Sequence, residues 1–166
     1  MSDRLSRFGV GPKLVASVLA SAALAGALSY AFSAVCFVPA FRHPAVVTLA
    51  VILIVIGVPM WLIGAVAAMR AYNHDQLVTS GVFGLVRHPM YSAWIVLILP
   101  GLALLTGSWP FLLVAPVAYA VFKLLIHTED EYLRKRFGES YSNYRACVNE
   151  ILPIPHVRHH AAPARR

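Results

Sequence analysis

Arg87, His88 and Tyr91 crowd around Pro89, and a carboxylate, Glu129, follows in the run Thr128-Glu129-Asp130-Glu131. A guanidinium, an imidazole, a phenol and a carboxylate can together hold a polar ligand that carries charge of either sign. Pro89 lacks an N–H and has a fixed φ, so it suits the first position of a helix and turns His88 away from the α region. A helix is therefore expected to begin here, with the three side chains at its mouth. Upstream, Thr79, Ser80 and Gly81 form a turn cluster, and Gly84 gives a second point of backbone freedom. The sequence after Met90 is strongly apolar, so this mouth opens at the end of a membrane helix.

The elements that must position these groups are long apolar segments. The chain has 166 residues, 59% hydrophobic and 13% charged, and its mean hydropathy of +0.70 sets it apart from soluble domains. Residues 14–38 and 46–69 are each long enough to cross a hydrocarbon core of about 30 Å as one helix. Residues 90–122 contain no Asp, Glu, Lys or Arg. As one straight helix they would reach about 50 Å, too long for a single span. Gly107-Ser108-Trp109-Pro110 supplies a turn near the middle, so a hairpin of two spans is expected. The fold class is then all-α integral membrane, with about four transmembrane helices and a C-terminal cytosolic amphipathic helical segment. A single domain over 1–155 carries its motifs in 75–153. Residues 156–166, including His156, His159 and His160, read as a mobile tail rather than a metal site.

The formal net charge is +7. Arg4, Arg7, Lys13, Arg70, Arg87, Lys123, Arg134, Lys135 and Arg136 fall on one side of this topology, and Arg42 on the other. The positive-inside rule puts both termini in the cytosol, as expected of a bacterial inner-membrane protein. The charge is accounted for by topology and by anionic lipid heads, and nucleic acid is not an expected partner. Cys36 and Cys147 fall on opposite membrane faces, so no disulfide joins them, and no metal is expected. The first apolar run outlasts a signal-peptide core, so a retained span is expected. Gly57 and Pro59 suggest a kink in the second.

Leu133, Phe137, Tyr141, Tyr144 and Val148 recur every three or four residues and define the apolar face of the amphipathic segment, which breaks at Gly138 and ends at Pro153. Tyr141 and Tyr144 are expected to pack, Asp130 and Glu131 to form a solvated charge run, and His127 to be interfacial.

The run Leu77-Val78-Thr79-Ser80-Gly81-Val82-Phe83, then Arg87-His88-Pro89-Met90-Tyr91, Thr128 to Leu133, and Phe137-Gly138-Glu139-Ser140-Tyr141 with Tyr144, resembles the isoprenylcysteine carboxyl methyltransferase family. Phospholipid N-methyltransferases share the pattern. The resemblance implies S-adenosyl-L-methionine as cofactor, contacted by Gln76, Leu77, Val78, Phe83, His88, Pro89, Met90, Tyr91 and Glu129. Phe83 stands where the family has Tyr. Leu125 stands where the eukaryotic enzymes have an arginine implicated in substrate binding, and Lys123 or Arg87 is the candidate replacement.

The chain lacks a Gly-x-Gly-x-x-Gly turn, so the soluble dinucleotide-binding fold is excluded on pattern. A cofactor must sit among helix ends, where the carboxylate of Glu129 meets a sulfonium or ammonium and Tyr91 and Phe83 offer aromatic faces. Arg87 and Glu129 are the catalytic candidates. A carboxylate acceptor needs no base, so alignment and desolvation would drive the reaction. An amine acceptor requires one, from Glu129, Asp130 or His127. A lipophilic or prenylated substrate would enter from the membrane lipids. Two further classes stay open: a nicotinamide-dependent membrane reductase resembling sterol reductases, and a small non-enzymatic scaffold.

Overall fold

The computed structural model describes residues 10–153, so the 156–166 tail lies outside the described residues. Four helices organise it: α1 (Gly11–Ala31), α2 (Pro44–His74), α3 (Pro89–Thr106) and α4 (Val114–Cys147). All four are apolar and long enough to cross a membrane, with the 3-10 turn Trp109–Leu113 leading into α4. No β-strand occurs among the described residues, only an isolated bridge between Phe37 and Ser108. The fold is all-α and integral to the membrane.

Helix ends follow from local chemistry. Pro44 and Pro89 occupy first-turn positions of α2 and α3, where a missing N–H costs nothing. His43 caps α2 by accepting from the Ala45 N–H at 3.3 Å. The expected hairpin turn is present. Gly107, at φ +73°, ends α3 in the left-handed region, and a Cβ there would come within 3.0 Å of the Phe37 ring. Both facts call for glycine. The Val38 N–H donates to the Gly107 carbonyl at 2.9 Å, and Ser29 Oγ lies 2.7 Å from Ser108 Oγ, tying the end of α1 and the loop after it to the hairpin turn.

Three details depart from the sequence reading. The first span ends at Ala31, and residues 33–42 form short turns instead of continuing it. The second runs on to His74 as one helix through Pro59. Gly57 serves close packing: a Cβ there would meet Ile98 at 2.8 Å, and one on Gly101 would meet Ile54 at 2.8 Å. Small residues thus let α2 and α3 approach backbone to backbone, the means by which helices associate in lipid. The C-terminal amphipathic segment is the direct continuation of α4. At 34 residues α4 spans roughly 50 Å, well beyond a single crossing. It therefore runs on past the length of one crossing, interrupted at Gly138 by a backbone at φ +55°.

Packing is unequal. α2 lies against α3, and α1 against α4. The buried core runs through Leu14, Tyr91, Ile95, Leu99, Ala118, Phe122 and Ile126. Most large side chains of α1 and α2 point outward, Leu19, Leu24, Val55 and Ile63 among them. In water that exposure would be a liability, whereas in lipid it costs nothing. Residues 93–98 of α3 take a wider π-helical turn, a feature that often accompanies functional sites.

Candidate functional site

The site lies where α3 starts and α4 leaves the apolar zone. Val86 is extended, and His88, at φ −124° and ψ 67°, turns the chain into α3. This stretch is held by the far end of the described chain. The Arg87 and His88 N–H groups donate to the carbonyls of Asn149 and Glu150 at 2.7 and 3.0 Å. Ser92 Oγ donates to the Ile151 carbonyl at 2.6 Å. Residues 149–151 therefore strap the mouth of α3 in place.

His88, Tyr91 and Glu129 converge. The Tyr91 hydroxyl donates to Glu129 Oε2 at 3.2 Å, and His88 Nδ1 lies 3.8 Å from Glu129 Oε1. The His88 and Tyr91 rings both pack against Phe122, with centroids 5.7 and 5.3 Å away. His88 and Tyr91 are buried, whereas the Glu129 side chain keeps 22% of its surface exposed. It is the part of the cluster that a ligand can reach.

Arg87 does something different. Its guanidinium is buried between two acids: Nη1 lies 3.3 Å from both oxygens of Asp130, and Nη2 lies 3.4 Å from Glu150 Oε1. Tyr141 donates its hydroxyl to Asp130 and receives a 3.4 Å contact from Arg87. Asp130 thus departs from the expected solvated run, since it is 4% exposed while Glu131 pairs with Lys135 on the surface. Lys123 pairs with Glu150 at 2.6 Å. Leu125 packs beside the apolar core. Buried ionic groups survive only when matched this closely, because desolvation costs several kcal/mol per ion otherwise.

Two concavities flank residues 76–78. One, of about 500 Å3, runs along α2 and is lined by Gln76 and Val78 on its loop side. The other, of about 490 Å3, lies between Leu77 and Thr79 and the distal part of α4, including Ser140, Asn143 and Tyr144. Neither is lined by His88 or Glu129. Phe83 is half-buried, and the hydroxyl of Tyr144 donates to its backbone carbonyl at 2.6 Å. Pro89 is buried, and Met90 and Pro89 lie against Gly64 of α2, where a Cβ would sit 3.3 Å from both.

The chemistry of this donor set fits S-adenosylmethionine. Glu129 is an accessible carboxylate suited to a cationic group. Two buried atoms nearby, Arg87 Nε and His88 Nε2, lack a hydrogen-bond partner among the described residues, although His88 Nε2 lies 3.4 Å from Asp130 Oδ1. No group of His, Cys, Asp and Glu suited to a metal ion occurs among the described residues.

The sequence reading named Asp130 as a candidate base and Tyr141 as a packing residue, but it did not bring them together with Arg87 and it missed the strap. Asp130 and Tyr141 lie eleven residues apart on either side of the break at Gly138, so helical spacing alone does not bring them together. Nothing in the local sequence marks Asn149, Glu150 or Ile151 as neighbours of Arg87 and Ser92.

A family model described as phospholipid methyltransferase matches residues 41–140. The chain belongs to that family. Its curated relatives include a protein-S-isoprenylcysteine O-methyltransferase of Schizosaccharomyces pombe, 37% identical over 89 residues, 54% of this chain and 37% of the relative. Protein-S-isoprenylcysteine O-methyltransferase B of Arabidopsis thaliana is 30% identical over 86 residues, 52% of this chain and 44% of the relative. Protein-S-isoprenylcysteine O-methyltransferase A of the same plant is 26% identical over 150 residues, 85% and 76% of the two chains. The chain thus spans less than half the length of the first two relatives. No solved structure matches it. Neither a reductase nor a scaffold is favoured by these similarities. Membership brings the matched region, from the end of the first loop through Glu129 to Ser140, under one family pattern.

Proposed function

We propose that this member of the phospholipid methyltransferase family transfers a methyl group from S-adenosylmethionine to a lipophilic acceptor at the membrane surface. The convergence of His88, Tyr91 and Glu129 at one end of the bundle carries the reading. When bound, the cofactor supplies an electrophilic methyl group on a sulfonium. Glu129 provides the counter-charge for a cationic ligand, and Tyr91 fixes the orientation of that carboxylate. Gln76, Leu77, Val78, Phe83, His88, Pro89 and Met90 complete the cofactor's surroundings. Arg87, already enclosed by Asp130 and Glu150, acts as a positioning residue that keeps His88 at the helix mouth.

The acceptor is a membrane amphiphile. Named relatives act on isoprenylcysteine, and a prenylated carboxylate would need only alignment and exclusion of water. An amine acceptor would have to lose its proton, and Glu129, which is more exposed than the neighbouring Asp130, is the acid to take it. The site faces the cytosol, since Lys13, Arg70 and Arg134 lie at its end of the bundle and Arg42 at the other.

The test is calorimetric titration of the purified protein with S-adenosylmethionine. Saturable one-to-one binding is expected, weakened about tenfold or more by Glu129→Gln through loss of a charge-assisted contact. Absence of binding, or binding untouched by the substitution, would refute the reading. Labelled methyl donor and extracted membrane lipids then identify the product.

A further inference from the structure

The concavity along α2 changes character from one end to the other. Leu62, Val66, Arg70 and His74 follow one another at four-residue intervals on one face of the helix, with Ile63 and Ala67 beside them. Leu62, Ile63 and Val66 are 49%, 56% and 42% exposed, an apolar furrow open to lipid. Arg70 and His74 close its upper end, about 12 and 18 Å along the helix from Leu62. They stand at the site's end of the bundle, where the long apolar helix gives way to polar sequence.

The charge at that end is uncompensated. Neither side chain has an ion-pair or hydrogen-bond partner among the described residues. The nearest acid in sequence, Asp75, is engaged by Arg136, with Nη2 at 2.5 Å and Nε at 2.6 Å. An apolar trough capped by an unpaired guanidinium and an imidazole complements a molecule with a hydrocarbon tail and an anionic head. At about 500 Å3, its volume falls within the usual range of ligand sites, about 300–1,000 Å3.

We propose that this furrow is a binding site for an anionic membrane phospholipid, with the phosphate held by Arg70 and His74 and an acyl chain lying along Leu62, Ile63 and Val66. The bilayer supplies the ligand directly, because the furrow opens sideways into it. The concavity beside the distal part of α4 lacks this design: Thr79, Ser140 and Asn143 are polar but uncharged. Gln76 and Val78 on the loop side of the furrow also border the proposed cofactor site, and the lipid assignment rests on the α2 residues alone.

The experiment uses the full chain in an uncharged detergent, with native mass spectrometry counting retained lipid. Phosphatidylglycerol is expected to stay bound at one-to-one stoichiometry, and diacylglycerol of the same chains to be lost. Arg70→Gln should lower retention about fivefold, the effect of one cation near an anionic surface. Val66→Trp, which fills the trough and keeps the charge, should abolish one-to-one retention. Arg134→Gln, removing an exposed cation elsewhere, should leave it unchanged; thermal unfolding confirms that each variant is folded. Equal retention of diacylglycerol, equal loss with Arg134→Gln, or no response to Arg70→Gln and Val66→Trp would overturn the proposal. Free inorganic phosphate competing as well as the lipid would also overturn it, since the tail would then contribute nothing.

Discussion

The Tyr91 hydroxyl donates to Glu129 Oε2 across 3.2 Å, joining the first turn of α3 to the point where α4 leaves the apolar zone. This contact sets the orientation of the only partly exposed acid in the His88–Tyr91–Glu129 cluster. Tyr91→Phe keeps the ring against Phe122 and removes the donor. Affinity for S-adenosylmethionine is expected to fall about tenfold, in line with a hydrogen bond to a charged group at roughly 1.5 kcal/mol. Calorimetry on the variant checks this, and unchanged affinity would dissociate Tyr91 from ligand binding.

Asp130 lies between Arg87, Tyr141 and His88 with almost no solvent contact. Asp130→Ala leaves the Arg87 charge buried with Glu150 as its remaining close acid. A loss of about 3–5 kcal/mol in stability is expected, the usual result of breaking one side of a buried pair. Tyr141→Phe removes one hydrogen bond and should cost about 1 kcal/mol. Thermal unfolding in detergent ranks the two variants. A larger effect from Tyr141→Phe would contradict the arrangement.

Ser92 holds the Ile151 carbonyl at 2.6 Å in a buried position. Ser92→Ala should leave that carbonyl without its hydroxyl partner, at a cost of about 1–3 kcal/mol. Hydrogen exchange is expected to accelerate first at residues 149–151 and at the N–H groups of Arg87 and His88. Uniform acceleration over the whole chain would instead mean that the strap has no local role.

Gly101 faces α2 so closely that any Cβ collides with Ile54 and with the Ala50 carbonyl, at 2.8 and 2.9 Å. Gly101→Val must push the helices apart. Destabilisation of about 1–3 kcal/mol is expected from overpacking. Gly26→Ala, whose Cβ would meet only Phe111 at 3.8 Å, should be nearly neutral and serves as the comparison.

Cys147 is exposed at the end of α4, while Cys36 is buried at the opposite end of the bundle. In sealed vesicles, a membrane-impermeant maleimide should label Cys147 only from the cytosolic side. Labelling from the outer side would invert the orientation.

The sequence by itself determined the number of spans, because uncharged apolar length is a local property that lipid selects directly. It also marked the hairpin turn at Gly107, where a left-handed backbone and a close aromatic neighbour leave room only for glycine. His88-Pro89 announced a helix start, since proline restricts both itself and its predecessor. That His88 and Glu129 share one end followed from counting crossings. Tertiary structure alone decided which charges are buried. Arg87, Asp130 and Glu131 look alike as charged residues at a membrane border, yet Arg87 and Asp130 enclose each other while Glu131 remains on the surface. That outcome depends on Tyr141 returning eleven residues later, past the break at Gly138, and on residues 149–151 folding back over the mouth of α3. Ionic pairing over such separations leaves no periodic trace in a sequence, because its energy arises only once the partners have been desolvated together.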